Sequence, residues 1–332
     1  MTSVTSKQIV KAIRMSKNGD PEVMELVDVE LGEPGPGEAL VRHHAIGINY
    51  IDVYFRTGLY QQPLPAGIGM EGAGIVEKVG PGVTHVKPGD RVAYAGRPNG
   101  AYSEARVMPA DILVILPDAL SFEQGAAMML QGLTVQYLLN DTYKVKKGDY
   151  VLFHAAAGGV GLIACQWLKA IGAIMIGTVG SAEKAELAKA HGCEHTILYR
   201  EEDFTKRVRE ITGGKGVSVV YDSIGKDTFL KSLDCLAPRG MMVTFGNSSG
   251  PVPLVDTSLL AGKGSLKLTR PTLMTYVLDR SLLEPMAADL FQMVMSGKVK
   301  LEINQRYKLA DVQQAHRDLE GRKTTGSSIL IP

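Results

Sequence analysis

The chain has 332 residues, of which 45% are hydrophobic and 21% charged, and its formal net charge is +1. This length suffices for two domains with cores of their own, and the composition is typical of globular proteins. The near-zero charge argues against nucleic acid or an anionic membrane surface as a partner, and no apolar run is long enough to span a bilayer. The three cysteines are odd in number and far apart, which predicts no disulfide framework and a cytoplasmic location.

The first third of the chain is predicted to be β-rich. Short apolar-alternating segments over residues 9–125 are separated by proline and glycine clusters such as 32–38 and 80–90. We interpret this region as strands and turns in a partly barrel-like unit.

From about residue 129 the pattern changes to apolar strands that alternate with helices. Strands are predicted at 150–154, 173–179, 195–199, 217–221 and 240–246, and the first of the helices that join them spans 160–171. Five strands with intervening helices predict right-handed crossovers and a doubly wound parallel sheet of the Rossmann type.

The C-terminal part of the chain is predicted to complete the first domain. An extended stretch at 264–270 precedes a helix at 281–296, and the chain then ends in strand, helix and strand. We therefore predict a β-rich domain at 1–128, a dinucleotide-binding domain at 129–268, and a return segment at 269–332.

The segment GDYVLFHAAAGGVG, residues 148–161, is the strongest single signal in the sequence. It predicts a strand, a tight turn of small residues and a helix start, whose unpaired backbone N–H groups suit a pyrophosphate. Ala156 stands where the dinucleotide fingerprint has its first glycine, so the motif is a variant, A-x-G-x-x-G. Taken alone, it leaves open a glycine-rich turn that binds nothing.

The end of the second predicted strand favours NADPH over NADH. A carboxylate normally holds the adenosine ribose there, but this chain has Gly180 and Ser181, with Lys184 in the first turn of the next helix. Lys184 can pair with a 2′-phosphate and Ser181 can donate to it. The alternative is that Ser181 caps the helix and Lys184 is simply solvated.

The chain as a whole resembles the zinc-independent medium-chain dehydrogenases/reductases, specifically the quinone oxidoreductases of the zeta-crystallin type. The resemblance covers nearly the whole chain and implies a Rossmann-type sheet plus a β-rich, GroES-like catalytic domain. The segments that carry it are 47–60, 69–80, 126–139, 155–162, 177–188, 246–252, 269–271 and 326–332.

This resemblance implies an acceptor site with Asn49, Asp52, Tyr54 and Tyr60 as catalytic residues. Asn49 can donate to a quinone oxygen, and a tyrosine can donate a hydrogen bond or a proton to the reduced product. Two alternatives stay open: Asp52 can simply cap its loop, and Tyr60 can be a strand-edge aromatic of the core.

Further cofactor contacts are predicted partly from the resemblance and partly from position at the carboxyl ends of parallel strands. Thr134 lies in a helix predicted at 130–139 and can instead bond within that helix. Tyr199 can be a strand-terminal aromatic, and Arg322 can be solvated. The predicted cofactor-binding residues are Thr134, Ala156, Gly158, Gly159, Val160, Gly180, Ser181, Lys184, Tyr199, Ser223, Phe245, Asn247 and Arg322.

The sequence departs from the zinc-dependent branch of this superfamily at the metal ligands. Asn49 and Met70 stand where that branch has a cysteine and a histidine, and residues 91–110 contain no cysteine. Neither an amide nor a thioether is a suitable ligand for catalytic zinc, so we predict no metal. Without a Lewis acid, hydride delivery to an electron-poor π system is the chemistry that remains easy.

We therefore expect NADPH-dependent reduction of a quinone or other electron-poor small molecule. The first alternative is reduction of the double bond of 2-alkenals or other enones. An alternative of another class is a structural crystallin-like or RNA-binding role, which the low net charge disfavours. By resemblance we also expect a homodimer, formed through an edge strand at 264–270.

Overall fold

The computed structural model describes residues 8–332, and the chain divides into two compact units. Unit 1 contains the chain up to Gln131 together with Val277–Phe291 and Ile303–Pro332. Unit 2 contains Gly132–Tyr276 and Gln292–Glu302. Each unit is thus built from separate stretches of sequence. The boundaries between the β-rich domain and the dinucleotide-binding domain, at 128/129 and 268/269, stay a prediction.

Unit 1 is built on two sheets. The smaller has the strand order β2-β1-β4, and the larger has the order β15-β16-β3-β5-β6-β8, with β7 also pairing with β3. All pairs in both are antiparallel except β15 with β16. The strands are β1 (Gln8–Met15), β2 (Glu25–Leu31), β3 (Glu38–Ile48), β4 (Ala66–Gly67), β5 (Glu71–Val79), β6 (Arg91–Ala95), β7 (Ala105–Pro109), β8 (Val114–Ile115), β15 (Ile303–Lys308) and β16 (Ser327–Ile331).

Unit 2 is a six-stranded parallel sheet with the order β11-β10-β9-β12-β13-β14. In chain order of the strands this is 3-2-1-4-5-6, the order of dinucleotide-binding doubly wound sheets. The Rossmann prediction is confirmed. The strands are β9 (Tyr150–Phe153), β10 (Ile174–Val179), β11 (His195–Leu198), β12 (Val217–Asp222), β13 (Leu236–Thr244) and β14 (Lys267–Thr269).

Ten α-helices accompany these sheets in the described residues. The helices are α1 (Tyr50–Thr57), α2 (Phe122–Tyr137), α3 (Gly159–Ile171), α4 (Ala182–Ala190), α5 (Phe204–Ile211), α6 (Phe229–Leu233), α7 (Ser258–Gly262), α8 (Leu273–Tyr276), α9 (Arg280–Met295) and α10 (Val312–Glu320). No helix of residues 8–332 is both long and apolar enough to cross a bilayer.

Two local predictions were wrong. Residues 50–57 lie in the region predicted as strands and turns, yet they form α1, which Asn49 begins and Gly58 ends in the left-handed conformation. The helix predicted near 130–139 starts eight residues earlier, at Phe122, because Ser121 and Gln124 exchange hydrogen bonds that cap its first turn.

Candidate active site

The turn between β9 and α3 brings two backbone segments into direct contact at Gly161. A Cβ on Gly161 would lie 2.4 Å from the Ala155 carbonyl oxygen and 2.6 Å from the Ala156 carbonyl carbon, so no side chain fits there. Ala155 adopts a φ of 57°, which turns the chain sharply after the strand. The third glycine of the predicted motif is therefore required by packing.

The neighbouring strand compensates for the alanine in the variant motif. Ala156 is fully buried, and a Cβ on Gly177 of β10 would lie 2.6 Å from the Ala156 Cβ. Gly177 thus provides the room that the fingerprint normally obtains from a glycine at the motif's first position.

The start of α3 is open to a ligand. No side chain caps Gly158, and the first turn of the helix contains no acidic residue. Gly158, Gly159 and Val160 are partly exposed, and a Cβ on Gly158 would meet little besides the Ala155 carbonyl oxygen at 3.4 Å. The N–H groups of this first turn are therefore not blocked by a side chain, and their binding of a pyrophosphate stays a prediction.

The carboxyl ends of β10 and β11 bring Gly180, Ser181, Lys184 and Tyr199 together. Ser181 caps α4, since its Oγ accepts from the Lys184 backbone N–H at 3.4 Å. The Tyr199 hydroxyl lies 3.2 Å from where a Gly180 Cβ would be, and Tyr199 is 39% exposed. The capping role of Ser181 is therefore present, and its hydroxyl also hydrogen-bonds the exposed Glu183 carboxylate, which lowers the pKa of Glu183.

The loops after β12 and β13 are locked to each other. The Phe245 N–H donates to the Asp222 carbonyl at 2.8 Å, and the Ser248 N–H donates to the Ser223 carbonyl at 3.2 Å. Arg270 fixes the second loop, with Nη1 3.0 Å from both Thr244 Oγ1 and the Gly246 carbonyl oxygen.

Asn247 belongs to the same arrangement. With Nδ2 donating to the Gly246 carbonyl at 2.9 Å, its Oδ1 accepts from Arg270 Nη2 at 3.0 Å. Ser223, Phe245 and Asn247 thus meet at the carboxyl edge of the sheet, where open α/β sheets bind their ligands.

The other two predicted cofactor contacts are not in the loops of this sheet edge. They are Thr134, in α2, and Arg322, after α10. Thr134 is buried in α2, where its side chain hydrogen-bonds Tyr137 one turn later, and the Tyr137 ring stacks on Tyr276 with centroids 4.2 Å apart. The alternative of a bond within its own helix is thus observed. Arg322 lies exposed in the turn after α10.

In unit 1, Asn49 and Asp52 begin α1. Asp52 Oδ2 accepts from the Asn49 N–H at 2.9 Å and from the Tyr102 hydroxyl at 2.8 Å. Asp52 is fully buried and its Oδ1 has no hydrogen-bond partner, so burial raises its pKa to about 7 despite these two bonds. The alternative that Asp52 caps its loop is thus seen in the structure, and a direct catalytic role stays a prediction.

The Asn49 side chain is held on both sides by hydrogen bonds. Its Nδ2 donates to Glu71 Oε2 at 2.6 Å, and its Oδ1 accepts from Gln131 Nε2 at 3.1 Å. Gln131 is held in turn by Ser327, whose Oγ donates to Gln131 Oε1 at 2.8 Å. This chain of donors and acceptors permits one orientation of the Asn49 amide.

Glu71 is the buried carboxyl group of this arrangement. Its Oε1 accepts from the Leu130 N–H at 2.9 Å, so both carboxylate oxygens have partners. Burial raises its pKa to about 8, and the hydrogen bonds from Asn49 and Leu130 oppose that rise.

Tyr54 and Tyr60 form an aromatic cluster beside Asn49. Tyr54 contacts Tyr60 edge-on with ring centroids 5.1 Å apart, and Tyr60 also contacts Phe55 at 5.7 Å. Tyr60 lies in the loop after α1 and is half-buried. The alternative for Tyr60 is therefore wrong in placing it at a strand edge, but its packing on buried aromatic residues is observed.

Glu71 and Arg270 are the functional candidates that the sequence analysis did not select. A glutamate that opens an otherwise apolar strand, as Glu71 opens β5, is a usable signal because a buried carboxylate needs partners. Arg270 follows the edge strand β14, and its signal was its place in the segment 269–271 that carries the family resemblance, although Arg322 was preferred. In residues 8–332, no three His, Cys, Asp or Glu side chains cluster as a metal site would require.

Comparisons with known proteins agree with this architecture. Residues 35–118 match the family model described as "Alcohol dehydrogenase GroES-like domain", and residues 159–280 match "Zinc-binding dehydrogenase". The chain is 55% identical to a quinone oxidoreductase of Pseudomonas aeruginosa, covering 98% of this chain and all of that protein. It is 46% identical to a 2-haloacrylate reductase of a Burkholderia species, covering 98% and 99%.

A solved structure extends the likeness to three dimensions. The crystal structure of Escherichia coli quinone oxidoreductase complexed with NADPH has a TM-score of 0.96 and 54% identity, covering 97% of this chain and all of that one.

The raised pKa of Asp52 predicts a pH-dependent cost to stability. Because the pKa is about 7 when folded against an ordinary 3.8, the folded protein binds the proton more tightly, and stability falls as pH rises from about 4 through 7. Asp52→Asn mimics the protonated acid, keeping one oxygen for Asn49 and Tyr102. We expect it to exceed wild type in unfolding free energy by roughly 2–4 kcal/mol at pH 8.

Urea unfolding of both proteins at pH 5 to 8 measures this difference. It should shrink steadily towards pH 5, and comparing the two proteins cancels the contributions of buried histidines. An Asp52→Asn variant that is less stable than wild type at pH 8 would contradict the conclusion that burial of the ionised Asp52 carboxylate destabilises the fold.

Proposed function

The chain belongs to the quinone oxidoreductase branch of the medium-chain dehydrogenase/reductase family, and on that premise we propose that it reduces quinones with NADPH. The observation that carries the proposal is the open start of α3, beside a second strand followed by Gly180 and Ser181 in place of a carboxylate, with Lys184 in the first turn of α4. The acidic residue of that turn, Glu183, is exposed and hydrogen-bonds Ser181. The likeness to the NADPH-complexed quinone oxidoreductase of Escherichia coli supports the same conclusion.

Unit 2 carries the groups that suit NADPH. The start of α3 would hold the pyrophosphate, because Gly161 keeps the turn tight and no side chain blocks the free N–H groups. Ser181 and Lys184 would hold the 2′-phosphate, and Tyr199 would line the adenine side. We assign Thr134, Ser223, Phe245 and Asn247 to the nicotinamide half. When bound, NADPH supplies the hydride.

Unit 1 carries the groups that suit the acceptor. Glu71 takes one N–H of the Asn49 amide and Gln131 donates to its oxygen, so the second N–H is directed to the acceptor's carbonyl oxygen. Tyr54 or Tyr60 would supply a hydrogen bond or the proton that completes reduction. Asp52, fully buried, acts as a positioning residue by fixing the start of α1.

Reduction of activated alkenes is the second candidate function. The 2-haloacrylate reductase relative, at 46% identity, favours it. The same N–H donor could hold the carbonyl or carboxylate oxygen conjugated to such a double bond. We further propose a cytoplasmic homodimer, supported by three buried free cysteines and by the edge position of β14, where Leu268 is 38% exposed.

A substrate panel tests the proposed function. With NADPH oxidation followed at 340 nm, we expect turnover of 1,4-benzoquinone and 1,4-naphthoquinone at a kcat/KM at least tenfold above that of 2-hexenal or 2-chloroacrylate. A preference for an alkene would transfer the assignment to the second candidate. Absence of turnover with every acceptor would contradict both.

Lys184→Ala tests the preference for NADPH. Removing the ammonium should lower kcat/KM for NADPH about ten- to a hundredfold, the loss expected for a charge-assisted phosphate contact, and leave kcat/KM for NADH unchanged. Lys189→Ala is the matched control, because Lys189 lies on the same helix but pairs with Glu186. An unaltered preference in Lys184→Ala would remove this residue from the phosphate site.

Ser327→Ala tests the orientation of Asn49. Without the Ser327 hydroxyl, the Gln131 amide loses the hydrogen bond that holds its far end, so its hold on the Asn49 oxygen weakens and kcat should fall about fivefold while KM for NADPH is unchanged. Ser328→Ala, the adjacent serine of β16 whose hydroxyl bonds Gln305, should keep wild-type kcat. Equal kcat values for the two variants would show that the hydrogen bonds from Ser327 through Gln131 to Asn49 do not serve catalysis.

A further inference from the structure

Unit 1 has a pocket that plays no part in the proposed reaction. It is a cavity of about 560 Å³, a size that suits a small organic ligand. None of Asn49, Tyr54 and Tyr60 lines it. Its walls are Phe55, Gln62, Pro63, Ala66, Gly67, Arg97, Pro98 and Asn99.

Three arginines surround this pocket without an acidic partner. The Arg97 guanidinium lies over the Phe55 ring, 5.0 Å from its centroid. Arg14 reaches over Gly67, where a Cβ would lie 2.4 Å from its Nη1. Arg106 lies behind the loop 97–100 and donates to the Pro98 carbonyl at 2.9 Å.

These charges are uncompensated in residues 8–332. Arg14, Arg97 and Arg106 form no ion pair there, and no acidic side chain lines the pocket. Arg106 is 8% exposed, and its Nη1 has no hydrogen-bond partner. Burial lowers the pKa of Arg14, and the Arg106 charge lowers it further, as expected for two cations that lack an anion.

The amide pair on the wall is incompletely bonded. Asn99 Nδ2 donates to Gln62 Oε1 at 2.6 Å, while the buried Gln62 Nε2 and Asn99 Oδ1 have no partner in the described chain. Turning both amides over exchanges the roles but again leaves one N–H group and one carbonyl unused. Buried polar groups are normally bonded, so the unused N–H indicates a missing acceptor.

We propose that this pocket binds an aromatic monocarboxylate. The carboxylate would accept from Arg97, with Arg14 and Arg106 supplying positive potential from behind, and a rotation of the partly exposed Gln62 side chain would add its N–H. The ring would pack on the exposed Pro63 and Pro98. A phosphate fits less well, because the apolar walls would leave most of its oxygens without donors.

Ligand-observed NMR titration of the full-length protein with benzoate tests the proposal. We expect saturable binding to wild type, weakened about tenfold by Arg97→Gln, which removes one charge-assisted contact from an exposed side chain. Lys87→Gln removes the same charge from an exposed site of unit 1 and should bind benzoate like wild type. Benzyl alcohol should not bind.

Four outcomes would overturn this proposal. They are absence of saturable benzoate binding, equal benzoate affinity in Arg97→Gln and wild type, equal affinity for benzyl alcohol, and binding of inorganic phosphate in place of benzoate. The titration contains no NADPH and no quinone, so its result is independent of the proposed reductase activity.

Discussion

The close contact between Gly161 and the turn after β9 is the constraint on which the nucleotide site depends. With no Cβ at 161, the start of α3 packs against the Ala155 and Ala156 carbonyl groups, and its first N–H groups face outward. Gly177 serves the same geometry from β10 by accommodating the methyl group of Ala156. A sequence that departs from the fingerprint at one position thus preserves its physical requirements by a compensating change on the next strand.

In unit 1 the main constraint is different, because hydrogen bonds there fix the direction of one uncharged amide, that of Asn49. Asn49 could present either its N–H or its carbonyl to a ligand, and its hydrogen bonds to Glu71 and Gln131 decide which. Asn49 Nδ2 donates to Glu71 Oε2, Gln131 Nε2 donates to the Asn49 carbonyl oxygen, and Ser327 holds the other end of Gln131. The burial that raises the pKa of Glu71 is the cost of this arrangement.

The sequence predicted the parallel sheet and its phosphate-binding turn because both depend on local signals, namely alternating apolar segments and small residues at a strand–helix junction. It did not predict α1, since the β-branched and aromatic residues of 50–57 favour a strand, and the caps Asn49 and Gly58 were passed over. The series of hydrogen bonds from Ser327 through Gln131 to Asn49 could not be predicted, for another reason. Its hydrogen bonds join residues 82 and 196 positions apart, which only the fold brings together.

The affinity of Gly161→Ala for NADPH tests the central claim most directly, and it can be followed through energy transfer from the single tryptophan, Trp167 of α3. The added methyl group must displace the helix start, so we predict at least a tenfold weaker Kd than in wild type, with the far-ultraviolet circular dichroism unchanged. Wild-type affinity in this variant would show that the tight turn does not create the nucleotide site.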